Sequence, residues 1–163
     1  MPQQSAGVSP DLNDVVDGVL RASRALVAVS ARSIAKVDDA VTMPQYRALV
    51  TLAALGPKNV GTLADELGVH ASTATRLCDR LVRTGLIDRE PSTISRREVI
   101  VRLTVKGRRL VGRVTRARRQ AIEEIVGRVP ESSRLALVDA LQAFSDAAGE
   151  VPDDAWYDGW AGS

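Results

Sequence analysis

LADELGVHASTATRLCDRLVRTGLIDR, Leu63 to Arg89, is the stretch that decides the fold. Leu63, Ala64 and Leu67 share one side of a short helix, and Gly68 marks a turn. A second helix follows and closes at Gly85. At about 100° per residue, its Ala74, Leu77, Cys78 and Leu81 fall on one side and pin it to a core. Ser72, Arg76, Asp79 and Arg83 centre on the other side, flanked by Thr73, Thr75 and Arg80. An ordinary solvent coat would use Glu and Lys there. Small hydroxyls and arginines suit a surface that reads a partner. Short helix, glycine turn and second helix together make a helix-turn-helix.

The flanking sequence extends this unit. Thr42 to Gln45 (TMPQ) is a capping box for a helix through Tyr46, Leu49, Leu52 and Leu55 that stops at Gly56-Pro57. Asn59 is placed to cap the short helix. After Gly85, LIDRE and REVIVRLT alternate in the manner of two antiparallel strands joined across PSTIS, with β-branched Val99 and Val101. A hairpin directly after a helix-turn-helix makes a winged helix. Outside it, Asp11 to Val37 forms a long amphipathic helix, with Leu12, Val16, Val19, Leu26 and Ile34 near one stripe. Thr104 caps another through Leu110, Val114, Ala117, Ala121, Ile125 and Val129, broken by Pro130. Ser133 to Ala148 is a final one through Leu137, Leu141 and Phe144. The expected fold is mainly α with a small β-wing. A winged lobe spans residues 42–103, long helices flank it at 11–37 and 104–148, and residues 149–163 form a C-terminal tail.

Composition narrows the function. The chain has 163 residues, a net charge of +2 and 3% aromatic residues, so its core is aliphatic. The charge is segregated. Arg76 to Arg119 holds fourteen basic residues against four acidic ones, while the rest of the chain is acidic overall. A basic block of this kind marks a polyanion-binding face. Arginine outnumbers lysine nineteen to three, which favours phosphate and guanine recognition. Cys78 is the single cysteine, so no intrachain disulfide forms. The N-terminus lacks the basic and apolar regions of a signal peptide, and no run approaches the roughly 20 apolar residues of a membrane span. A cytoplasmic protein without membrane contact is expected.

A DNA major groove accepts one α-helix and offers base edges that Arg, Ser and Thr can read. Small hydroxyls near a helix start allow close approach to phosphates, aided by the helix dipole. The candidate DNA-binding residues are therefore Ser72, Thr73, Thr75, Arg76, Arg80 and Arg83, with Arg96 and Arg97 at the hairpin tip.

With MPQYRALVTL, GTLADELGVHASTATRLCDRLVRTGLIDR and SRREVIVRLTVKG in place, the sequence resembles the MarR family of transcriptional regulators from about Asp11 to Ala148. The block from Leu63 to Gly107 carries most of the likeness. The resemblance implies an obligate homodimer with interlocked terminal helices and a winged lobe on each side. It also implies a palindromic operator on double-stranded DNA, repression, and relief by a small aromatic or phenolic ligand or by oxidation. The sequence departs from the family at the wing tip, where Ser95-Arg96-Arg97 stands in place of Asp-x-Arg, so Arg97 lacks an orienting carboxylate. It has no Cys near the start of the first helix, as the peroxide-sensing branch does. It also lacks the His/Glu/Cys cluster of the zinc-sensing branch, having His70 alone.

Other function classes fit less well. One His and one Cys supply no nucleophile–base–carboxylate set, so an enzyme is not expected. His70 without Cys or carboxylate neighbours makes no metal site. GRRLVGRVT from Gly107 has the glycine spacing of a P-loop, but Arg113-Val114 replaces the Lys-Ser/Thr pair, so no nucleotide cofactor is expected. Cys78 lies on the apolar side of its helix and reads as core, since reactive thiols need exposure and a lowered pKa. A winged-helix module that binds protein is the competing class, and it predicts a charge-poor reading face instead of Arg76, Arg80 and Arg83. The tail WYDGW, Trp156 to Trp160, has no periodic pattern and no counterpart in the family. It reads either as a fraying end or as a docking segment.

Overall fold

A computed structural model describes residues 11–92 and 99–149. Helix α1 runs Leu12–Val37, α2 Met43–Leu55, and β1 Lys58–Asn59. Helix α3 is Val60–Leu67 and α4 Ala71–Arg83. Strands β2 and β3 are Ile87–Pro91 and Val99–Leu103; α5 (Val105–Val126) and α6 (Glu131–Ala147) follow. This is the expected mainly helical winged helix-turn-helix with one addition. The sheet is three-stranded and antiparallel, in the order β1-β3-β2, where the sequence predicts a two-stranded hairpin. Lys58 pairs with Val101 and Asn59 with Ile100. A two-residue strand is too short to leave an alternation in the sequence, so only the finished lobe reveals it.

Local chemistry sets the element ends. The Thr42–Gln45 capping box forms, with the Thr42 amide donating to Gln45 Oε1 at 2.8 Å. The Asn59 side chain accepts from the Thr62 amide at 2.7 Å and opens α3. Gly68 ends α3 at φ 64°, a left-handed conformation that a Cβ disfavours, and so redirects the chain into α4. His70 occupies the N-cap position of α4, and its side chain makes no capping hydrogen bond.

The core lies inside the winged lobe. Leu49 of α2, Leu63 of α3 and Leu81 of α4 meet Leu86, Ile87 and Val101 of the sheet, and Leu110 and Val114 of α5 close the cluster. Burial of each large aliphatic side chain contributes about 1.5–3 kcal/mol. Helix α1 packs against α5, and it buries only Val29, Ser33 and Ile34, all in its C-terminal third. Helix α6 buries no residue at all. The apolar stripes that the sequence places on α1 and α6 are thus only partly covered. Ile34 is buried, while Leu12, Val16 and Leu26 stand exposed on α1 and Leu141 and Phe144 on α6; Leu20, Val27, Leu135 and Val138 add further exposed apolar surface. No helix among the described residues is long and apolar enough to cross a membrane.

Candidate nucleic-acid interface

Helix α4 divides as its sequence predicts. Ala74, Leu77, Cys78 and Leu81 are buried, and Ser72, Thr73, Thr75, Arg76, Arg80 and Arg83 are exposed. The inward half fixes the helix, so the outward half is held at a defined angle. Arg76 Nε donates to the Ser72 carbonyl and Arg83 Nε to the Asp79 carbonyl, both at 3.3 Å. Each arginine is laid along its own helix by one nitrogen, which leaves the rest of the guanidinium fork pointing outward. Thr75 returns its hydroxyl to the Ala71 carbonyl at 2.9 Å. The hydroxyls of Ser72 and Thr73 carry no hydrogen bond among the described residues. At the start of α4 the first amides lack a side-chain cap, so the positive end of the helix faces solvent next to Ser72.

Asp79 is the acid that the sequence places on this face, and the structure gives it a different task. Its Oδ1 lies 2.6 Å from a terminal nitrogen of Arg89 on β2. Arg89 pairs in register with Val101, on the same face of the strand as Ile87, and that face turns toward α4. The pair joins the helix to the wing and cancels the negative charge on a surface otherwise built from hydroxyls and arginines. Sequence reasoning missed Arg89 in this role. The available signal was its position two residues after Ile87, which puts a cation on the inward face of an alternating strand. Lys106 was missed too: its ammonium donates to the Thr84 carbonyl at 2.7 Å and fastens the C-terminal end of α4 to α5.

Farther along the wing, Arg102 and Glu90 pair across β2 and β3 at 3.3 Å. Arg96 and Arg97 lie outside the described residues. Cys78 is fully enclosed, and burial pushes its thiol up. The nearby Arg89 pulls it down by less, and Asp79 adds to the rise. A thiol of that kind is a core group. Among the described residues, no group of three or more His, Cys, Asp or Glu side chains is gathered to hold a metal ion.

The likeness to known proteins points the same way. The sequence model of the MarR family matches residues 41–99. An HTH-type transcriptional regulator of Mycobacterium leprae is 31% identical over 69% of this chain and 78% of its own length. The crystal structure of RV1404 from Mycobacterium tuberculosis is similar at a TM-score of 0.81, with 48% identity over 89% of this chain and 99% of that one. NadR in complex with 4-hydroxyphenylacetate is similar at a TM-score of 0.57, with 26% identity, covering 89% of this chain and 98% of that one.

Proposed function

The chain belongs to the MarR family of transcriptional regulators, and on that premise we propose that it is a repressor gripping a palindromic operator as a homodimer. One observation carries the reading: beyond Ala71, the exposed residues of α4 are hydroxyls and arginines, and its one acid is tied to Arg89. In this reading Ser72, Thr73 and the open start of α4 approach phosphates, while Thr75, Arg76, Arg80 and Arg83 line the major groove. Arg96 and Arg97 reach the adjoining minor groove from the wing tip, where narrow A/T-rich DNA concentrates negative potential. The competing protein-binding module would need an apolar, charge-poor α4 face, and this one is the reverse.

The homodimer is supported by the bare aliphatic faces of α1 and α6. Obligate interfaces resemble a core cut in half, and these two helices supply half of one. The winged lobe, residues 42–103, would then read DNA, while residues 11–37 and 104–148 join the protomers. Relief by a small aromatic ligand is supported by the likeness to NadR, whose structure holds 4-hydroxyphenylacetate. A regulator of this kind works in the cytoplasm, where its DNA is.

The test is a gel shift with the DNA upstream of the chain's own gene and a scrambled duplex, at two salt concentrations. Specific binding keeps the upstream complex at a salt level that removes the scrambled one. Loss of both complexes together would reject sequence-specific recognition of that DNA.

A further inference from the structure

The bases that α4 would take follow from how its arginines are held. Its buried side is Ala74, Leu77, Cys78 and Leu81. At about 100° per residue, Ser72, Arg76, Asp79 and Arg83 lie nearest the opposite line, with Thr73, Thr75 and Arg80 toward the flanks. Arg76 and Arg83 stand two turns apart and so project the same way. Each commits its Nε to the carbonyl four residues before it, at 3.3 Å. The same tie at both positions leaves the same donors free, the two terminal nitrogens side by side at the tip of the fork. Neither arginine has an ion pair among the described residues.

Two parallel donors match the O6 and N7 acceptors that guanine shows in the major groove. Adenine shows one acceptor and one donor there, which calls for Asn or Gln, and α4 has neither. Cytosine N4 calls for a carboxylate, and the one acid, Asp79, is held by Arg89 at 2.6 Å. The C-terminal end of α4 is prepared for a polyanion as well. The Lys106 ammonium donates to the Thr84 carbonyl at 2.7 Å and offsets the negative end of the helix beside Arg83. Nothing at that end repels phosphate, so α4 is free to lie lengthwise in the groove. Two turns at ~1.5 Å per residue set the two forks about 10.5 Å apart. Base pairs stack at ~3.4 Å, so this spacing corresponds to about three base pairs.

Resting on the reading of α4 as the DNA-facing helix, we propose that each operator half-site carries two guanines about three base pairs apart. The Arg76 fork takes one and the Arg83 fork takes the other. Arg80, on the flank, meets a phosphate on the groove wall and adds affinity without sequence preference.

The test selects duplexes from random DNA with the full chain and rebuilds the selected half-site with altered bases. Wild type should enrich the guanine pair at that spacing. Replacing either guanine by 7-deazaguanine, which lacks the N7 acceptor, should weaken wild-type binding several-fold. Arg76→Ala should lose a preference of roughly 5- to 150-fold at one guanine and keep it at the other, and Arg83→Ala should do the reverse. Arg80→Ala should weaken all duplexes alike. Enrichment of half-sites without the guanine pair, or indifference to 7-deazaguanine, would overturn this inference and leave the DNA-reading role of α4 standing. A preference at both guanines that survives either Arg76→Ala or Arg83→Ala would overturn it too. No enrichment of any sequence would reject the DNA-reading role itself, and this inference with it.

Discussion

Asp79 shows how one contact can decide what a surface does. If α4 reads DNA as proposed, an unpaired carboxylate there would face phosphates, and the Arg89 ion pair removes that repulsion. Both side chains are partly exposed, so their pairing adds no more than about 1 kcal/mol to stability. Arg89→Ala should therefore leave the melting temperature almost unchanged while costing about 1 kcal/mol or more of DNA affinity, through like-charge repulsion. Adding Asp79→Asn to Arg89→Ala should restore most of that affinity in an anisotropy titration. Failure to restore it would mean that Arg89 acts by geometry instead of charge. Cys78 is the opposite case, a group with no work outside the core. Cys78→Ala should cost about 1–2 kcal/mol for a small cavity and leave DNA affinity within a few-fold of wild type. Because burial raises its pKa, the folded state favours the thiol. That contribution is intact below the ordinary value of 9.0 and is lost as pH rises through the folded-state value, since unfolded chains ionise first. Urea titrations from pH 8 upward should show wild-type stability falling, and Cys78→Ala should lessen the fall. Loss of DNA binding on peroxide treatment, prevented by Cys78→Ala, would contradict a core role.

The elements around α4 are held by a junction that the sequence shows only in part. Thr104 caps α5 by accepting from the Gly107 amide at 2.9 Å, and its hydroxyl lies 2.8 Å from the Gly85 carbonyl. Gly107 sits where α5 passes the Leu86 carbonyl so closely that an added Cβ would overlap it. Gly107→Ala should push α5 off the α4–β2 corner and destabilise the chain by about 1–3 kcal/mol, as overpacking does. Chemical denaturation checks this, and a stability equal to wild type would refute the close approach. The Thr42 capping box, the Asn59 cap and the Gly68 turn were legible because each is complete within a few residues. The two faces of α4 were legible because helical periodicity sorts them. Strand β1, the Arg89–Asp79 pair and the Lys106–Thr84 contact were not, because each joins segments far apart in sequence.

Taken whole, the molecule is a well-packed winged lobe joined to helices that lack a complete core of their own. Leu141 is 51% exposed and Phe144 54% exposed on α6, in a chain with few large apolar side chains to spare. On the proposed homodimer reading, Leu141→Glu should yield an unstable monomer that no longer binds the proposed operator, as ultracentrifugation and gel shift would show. A wild-type chain that sediments as a well-folded monomer at micromolar concentration would end the dimer reading. The most direct test of the central claim, that α4 reads DNA sequence, pairs wild type with Arg76→Ala. Arg76 lies on the exposed face, and among the described residues its side chain bonds only to the Ser72 carbonyl of its own helix, so the substitution leaves the core intact. Both proteins are titrated, at one fixed salt concentration, against a duplex enriched by wild type from random DNA and against its scrambled form. The expected result is a loss of about 1–3 kcal/mol on the enriched duplex, with little change on the scrambled one. An Arg76→Ala protein that keeps full discrimination between the two duplexes would contradict it.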